Sequence, residues 1–302
     1  IQIQGSPERT LERAVFRDTG GSRFLLESFG EQKARWREQV ADTIEALNSG
    51  GLGRTVPSLK AVNGRYLVPF GTAFYQMTPY LASETLERPD YLTRPGVGEA
   101  LAGFLIQLSR AAARLDIKKG FPVFSIKAYI EQLFSRMARQ DSETAGRFSP
   151  WRMALESGSR GRPGFMAVHD KLKTAFCHGD YHIMNLLWQN GNVCAVIDWE
   201  FCGVKPELYD AANLVGCAGA DDPSGLAGPM VRTFIERLRD SGRFSPGSWQ
   251  FFPELILALR FAWLSEWLRY RDWAMVDLEY DYMKILSENL DVIRQGWQLD
   301  LA

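Results

Sequence analysis

Histidine is scarce in this chain, cysteine carries no pattern, and no apolar run is long enough to cross a bilayer. The four cysteines, Cys177, Cys194, Cys202 and Cys217, make no Cys-x-x-Cys pair. The three histidines do not combine with them at a recognised ligand spacing. A disulfide framework and a structural zinc site are therefore excluded. Reduced, buried thiols in an intracellular, cytoplasmic protein are the expectation. The longest apolar-looking helical stretch, residues 255–268, contains Arg260 and Glu266 and is too short to span a membrane. There is no basic run or basic helix, and 35 basic residues face 36 acidic ones, a net charge of -1. No nucleic-acid surface is expected from that balance. An initiator methionine and a basic-then-apolar leader are missing from the opening Ile-Gln-Ile-Gln, so the chain is expected to begin partway into a longer one or to have disordered residues ahead of it.

What is present is ordinary for a globular chain of this size: 302 residues, 46% apolar, 24% charged. That is enough for a sizeable core and two domains. The informative stretch runs Phe176-Cys177-His178-Gly179-Asp180-Tyr181-His182-Ile183-Met184-Asn185, then, past a short interval, Val196-Ile197-Asp198-Trp199-Glu200. Between them lie two apolar runs joined by Gln189-Asn190-Gly191-Asn192. Asn-Gly between apolar runs signals a hairpin. The hairpin would return Asp198 toward Asn185 and gather Asp180, Asn185 and Asp198 in one small space. Such a set suits phosphoryl transfer, which needs an acceptor hydroxyl held in line with a γ-phosphate and a divalent ion to offset growing charge. Mg²⁺ prefers oxygen ligands. Asn185 offers an amide oxygen and Asp198 a carboxylate, leaving Asp180 to orient the hydroxyl and accept its proton.

These residues, with their spacing, resemble the small-molecule kinases of the aminoglycoside phosphotransferase, choline kinase and homoserine kinase superfamily. The usual forms there are a His-Gly-Asp-x-His-x-x-Asn loop and an Ile-Asp-(Trp/Phe)-Glu strand end. The resemblance implies an α+β, bilobal protein-kinase-like fold, with a small antiparallel-sheet lobe (residues 1–78) and a larger, mainly helical lobe (residues 79–302). It implies Asp180 as catalytic base, with His178 supporting the loop by hydrogen bonding, and Asn185 and Asp198 as Mg²⁺ ligands. ATP, or GTP, would be the phosphate donor. Ile183 and Met184 stand where a proline or glycine is common. Asp198-Trp199-Glu200 replaces the protein-kinase Asp-Phe-Gly, which favours a small-molecule alcohol as the partner substrate. Farther on, Lys205-Pro206-Glu207-Leu208-Tyr209-Asp210-Ala211-Ala212 matches the proline, then Tyr-Asp, of the family. Asp210 is assigned a bracing role at the start of a helix.

In the N-terminal region, residues 13–18 and 23–29 read as strands around an Asp18-Thr19-Gly20-Gly21-Ser22 turn. Gly5 and Ser6 are candidates for a phosphate-covering loop, although no Gly-x-Gly-x-x-Gly is present. The family places a phosphate-pairing lysine near the end of the second strand; on the simplest register Glu27 stands there. A carboxylate repels phosphate. Three arrangements remain open. Arg17 or Arg23 reaches the phosphates, Glu27 meets the ribose or base edge in another nucleotide pose, or the chain is a catalytically silent kinase-like binding or scaffold protein. Residues 32–47 read as the lobe's large helix, with Glu38 the best-placed partner for the absent lysine. Three short strands are expected over residues 59–62, 65–70 and 72–78. Met77 to Leu81 forms the crossing between lobes, so Met77 and Tyr80 are adenine-site candidates.

In the larger lobe, residues 98–116, 125–141, 230–240, 251–270 and 282–296 read as helices. The basic, glycine-rich residues 158–164 are expected to form a surface loop, with an anion contact as the alternative. Trp263, Glu266 and Trp267 on the long aromatic helix, together with Glu200, are candidate acceptor-site residues. Glu200 could alternatively meet a second metal. Aromatic faces beside carboxylates attract amines, but arginines interrupt the acidic field, so a cationic alcohol and a sugar both remain open. A carboxylate–metal hydrolase is disfavoured because no His/Asp-rich two-metal cluster is present.

Overall fold

The structure is a computed structural model describing residues 10–115, 117–158 and 161–299. Its first lobe is a four-stranded antiparallel sheet in the order β1-β2-β4-β3, from β1 (Glu12–Arg17), β2 (Arg23–Phe29), β3 (Leu67–Phe70) and β4 (Ala73–Pro79). One face is covered by α1 (Glu31–Ser49). Phe29, Ala41, Tyr66 and Leu67 form the small core between sheet and helix. The helix starts one residue after β2 ends, because Gly30 serves as its N-cap. Residues 59–62 form no strand; Leu59 donates its amide to the Met77 carbonyl as a single edge contact of 2.8 Å. Glu38 is committed to β3. Its carboxylate accepts the amides of Tyr66 and Leu67 at 3.1 and 3.0 Å, capping the entry to β3.

The larger lobe is helical. It contains α2 (Pro95–Leu115), α3 (Ile126–Gln140), α4 (Ser142–Glu156), the short α5 (Phe165–Val168), α6 (Tyr209–Asp221), α7 (Pro229–Asp240), the short α8 (Pro246–Trp249), α9 (Phe252–Tyr270) and α10 (Trp273–Gly296). α2 starts at Pro95, three residues before the expected 98, because the fixed φ of proline suits a first helical turn. α4 was not expected, because Pro150 interrupts it. Its core face is nevertheless regular: Thr144, Ala145, Phe148, Trp151 and Leu155 are buried, and Asp141 caps Thr144. α10 begins earlier than its apolar stripe suggests, because Asp272 caps the Met275 amide. Among the described residues, no helix is long and apolar enough to cross a membrane.

Two small ribbons lie between α5 and α6 in the chain. β5 (Thr174–Cys177) pairs with β8 (Gly203–Pro206), and β6 (Leu186–Gln189) with β7 (Asn192–Val196). The β6–β7 turn has positive φ at both Asn190 (50°) and Gly191 (71°), the backbone a tight Asn-Gly hairpin requires. The Val196 amide donates to the Arg54 carbonyl at 2.9 Å, tying the hairpin to the chain that leaves α1.

Candidate active site

The loop after β5 is fixed from below. Asp210, in the first turn of α6, is buried and accepts the amides of His178 (2.7 Å) and Gly179 (2.8 Å), one on each carboxylate oxygen. Burial pushes its carboxyl up, against the opposing pull of His178 and the two amides. Gly179 has φ +88, and a Cβ there would lie 2.0 Å from the Phe201 carbonyl oxygen, so only glycine fits. Tyr181 is fully buried: its hydroxyl donates to the Leu101 carbonyl at 3.0 Å and its ring stacks on Phe104. Asn213, one turn along α6 from Asp210, donates to the Tyr181 carbonyl at 3.3 Å.

His178 is 0% exposed. Its Nε2 donates to the Ile197 carbonyl (2.9 Å) and its Nδ1 accepts the Asp180 amide (3.2 Å). This fixes the neutral tautomer, and burial pushes the pKa below the ordinary histidine value. A ring so enclosed cannot exchange protons with a substrate. It joins the Asp180 loop to the strand end that carries Asp198, a positioning role.

The hairpin places the polar set as its turn chemistry requires. The Ile197 amide donates to the Asn185 carbonyl at 3.0 Å, which sets Asp198 beside Asn185. The Asn185 amide nitrogen donates to the Asp180 carbonyl (2.9 Å) and carboxylate (3.1 Å). Its oxygen is thus the end turned to other donors or a cation. Asp198 has φ 63 and ψ 57, a left-handed conformation uncommon for a non-glycine residue and of the kind held at functional sites. His182 accepts the Met184 amide on Nδ1, and its Nε2 lies 3.2 Å from the Asn185 amide nitrogen and 3.4 Å from the Asp180 carboxylate.

Other sequence candidates are placed less simply. Gly5 and Ser6 lie outside the described residues. Glu27 is buried and paired with Arg13 on β1 (2.7 Å). Arg17 and Arg23 flank the β1–β2 turn at the opposite end of the ribbon, where Arg23 lies over the Tyr80 ring. The Met77 carbonyl accepts from Leu59, and the Tyr80 amide donates to the Arg23 carbonyl, so both groups serve the lobe's own ladder. Glu200 does not project into open space. It is held by Arg37 (2.9 Å) and Lys33 (3.4 Å) of α1, while its carbonyl accepts from Trp36.

Trp263 stands edge-on to His182 (5.8 Å between ring centres) and donates to Asn213, and Trp267 packs beside it at 5.7 Å. Glu266 pairs with Arg269 on the surface. Its acidic neighbours are likewise committed: Asp272 caps α10, Asp277 pairs with Arg147, and buried Glu279 pairs with Arg260. In the basic loop, Arg162 pairs with Asp291 at 2.9 Å.

Sequence reasoning missed Asn213 and Arg37. Asn213 carried a signal, since it lies three residues past Asp210 on the same buried helix face. Arg37 carried a weaker one: it lies four residues before the buried Ala41 on α1, so it falls on the edge of the helix face that packs inward.

Among the described residues, no cluster of three or more His, Cys, Asp and Glu could hold a metal by itself. That fits Mg²⁺, which takes one or two protein carboxylates and completes its shell with phosphate and water. Asp198, with the Asn185 oxygen, is a donor set of that kind.

The chain was compared with known proteins. Solved structures with the same fold include an amicoumacin kinase in complex with AMP-PNP, Ca²⁺ and its ligand (TM-score 0.71, 11% identity, 95% of this chain and 88% of that one). Another is an aminoglycoside phosphotransferase from Alicyclobacillus acidocaldarius (TM-score 0.66, 16% identity, 100% and 93%). A choline/ethanolamine kinase family protein from Mesorhizobium loti also matches (TM-score 0.63, 18% identity, 100% and 92%). No curated protein matches the sequence. The family model for the phosphotransferase enzyme family matches residues 3–252. With the bilobal kinase-like architecture and the gathered Asp180, Asn185 and Asp198, this match establishes that the chain belongs to the phosphotransferase enzyme family.

Proposed function

We propose that this protein transfers the γ-phosphate of ATP or GTP to a hydroxyl of a small molecule. The observation that carries the reading is the doubly anchored loop. Asp210 fixes the backbone below Asp180, His178 ties that backbone to Ile197, and the hairpin returns Asp198 to Asn185. A chain without chemistry to perform has no need of all three polar groups so held. Asp180 accepts the acceptor's proton and orients its oxygen, while the Asn185 amide fixes the carboxylate's direction and His182 stands beside both. Asp198 and the Asn185 oxygen would hold Mg²⁺, which when bound would neutralise charge on the donor's phosphates.

The acceptor is met by Trp263 and Trp267 beside His182. The carboxylates near this wall are mostly paired with arginines of the fold, and the Arg260 guanidinium already lies over the Trp263 ring at 5.6 Å. Recognition therefore rests on aromatic surface and on donors such as Trp267 Nε1, which is buried without a partner. This favours a sugar-like alcohol over a polycation.

The second reading, a silent kinase-like binding protein, draws on Glu27, which stands with Arg13 where the family places a lysine. Calorimetric titration of ATP and GTP with and without Mg²⁺, followed by an alcohol screen, separates the two. Phosphotransfer predicts metal-dependent nucleotide binding, with Asp180→Asn keeping that binding and losing at least about 10²-fold in turnover. Turnover that survives Asp180→Asn refutes the assignment of the base; absence of nucleotide binding selects the silent reading.

A further inference from the structure

The strand position read as the family's lysine site holds an anion, Glu27, but the helix beside it holds a cation. Glu27 and Phe29 lie on one face of β2, two residues apart, and Phe29 is fully buried against α1. From α1, Arg37 lays its guanidinium over the Phe29 ring at 4.3 Å. It then reaches across to the larger lobe, where Nη2 is 2.9 Å from the Glu200 carboxylate. Lys33, one turn earlier, approaches the other oxygen of the same carboxylate at 3.4 Å. Glu200 lies only two residues past Asp198, and the Trp36 indole pins its carbonyl at 2.9 Å. Two cations of one helix are thereby held against a residue two positions past Asp198, the candidate metal ligand.

Arg37 is not saturated by this contact. Its side chain is 11% exposed, and its Nε is buried with no hydrogen-bond partner. A guanidinium carries five donors in a fixed fork that matches carboxylate and phosphate alike. Carboxylate and phosphate therefore compete for the same group.

Resting on the phosphotransfer reading, we infer that Arg37 of the helix, in place of a strand lysine, is the phosphate-binding cation of this protein, and that Glu200 occupies it until nucleotide phosphates displace it. The usual polarity is reversed: the anion sits on the strand, neutralised by Arg13, and the cation comes from the helix. Glu200 is then a gatekeeping anion, neither an acceptor contact nor a second metal ligand.

The test measures binding of Mg²⁺–AMP-PNP, or the guanosine analogue, and of the matching nucleoside to wild type, Arg37→Gln and Glu200→Gln. Arg37→Gln should weaken the triphosphate about 30-fold or more, as expected for a lost charge-assisted contact. Nucleoside affinity should stay unchanged. Glu200→Gln should act in the opposite direction and tighten the triphosphate severalfold, because the competitor is removed. Equal losses for triphosphate and nucleoside in Arg37→Gln, or affinities within threefold of wild type, overturn the inference. So does a weakening in Glu200→Gln, which would mark the pair as an interlobe strut or Glu200 as a metal ligand. Should Arg37→Gln fail to fold, the sign of the Glu200→Gln effect decides. Wild-type protein that binds no triphosphate removes this inference and the phosphotransfer reading together. Wild-type binding with an unaffected Arg37→Gln removes this inference alone.

Discussion

Asp210 carries more of the site than any group that would touch substrate, and Asp210→Ala measures how much. Its carboxylate accepts two buried amides at 2.7 and 2.8 Å. Hydrogen bonds to a charged group are worth about 1.5–3 kcal/mol each, so the pair contributes about 3–6 kcal/mol. Removing the carboxylate also relieves the cost of burying it, the cost that pushes its pKa upward. That relief returns about 1–2 kcal/mol, short of the bonds because the two amides are left without partners. A net loss of about 1–5 kcal/mol, centred on about 3, is expected, a large part of the stability of an ordinary domain. Asp210→Asn should fall between, at about 2 kcal/mol, since its amide can accept from one backbone N–H but turns a donor toward the other. The second consequence is kinetic. The two amides flank the peptide that leads into Asp180, and a displacement of about 1 Å at a reacting group can cost about 10²-fold in rate. Urea denaturation gives the first quantity; an ADP-release assay on the folded fraction gives the second. A change below about 1 kcal/mol in Asp210→Ala, with turnover intact, would refute the bracing argument.

Three further outcomes follow from the same geometry. Gly179→Ala forces a Cβ to within 2.0 Å of the Phe201 carbonyl at a φ of +88, so it should lose about 3 kcal/mol or more and most of its turnover; a wild-type melting temperature would contradict this. Glu27→Lys sets a second cation against Arg13 in a largely buried position and should cost about 1–3 kcal/mol, measured by the same denaturation; a more stable variant would show that the pair is unimportant. His178 is buried neutral with its pKa held below 6.5, so the unfolded chain takes up a proton that the folded one refuses as pH falls through that value. Stability should therefore drop below about pH 6.5 by up to about 1.4 kcal/mol per pH unit from this group; His178→Gln should flatten that slope, and an unchanged slope would place the titration elsewhere.

Much of the site could be read from the sequence because its determinants are local. Asn190-Gly191 demanded a two-residue turn with positive φ, the turn fixed the pairing of β6 with β7, and the pairing delivered Asp198 to Asn185. Asp210 was legible because a helix start near a polar loop is where a carboxylate serves the backbone. The helices were legible as far as their stripes ran without interruption. α4 was hidden by Pro150, whose cost is offset by the burial of Phe148, Trp151 and Leu155, a tertiary effect with no local trace. The supposed strand at 59–62 failed for the converse reason: a plausible run of residues found only one edge contact, from Leu59 to Met77.

The charge layout at the cleft was the least legible part, because it depends on which side chains meet across the two lobes. Read along the strand alone, Glu27 is a defect, a carboxylate where phosphates need a cation. Read with its neighbours, it is one half of a local pair with Arg13, and the carboxylate that matters to the cleft is Glu200, some 170 residues away and bound by Arg37 and Lys33. The sum of charge facing the nucleotide site depends on pairs, and pairs close only in three dimensions. A lysine restored at position 27 would therefore meet Arg13 before any phosphate, whereas a neutral residue at position 200 would release Arg37 and Lys33 from the carboxylate that now holds them beside the loop carrying Asp198. On the phosphotransfer reading proposed above, nucleotide binding is therefore expected to turn on the helix–loop pair of Arg37 and Glu200 more than on the residue at the strand position.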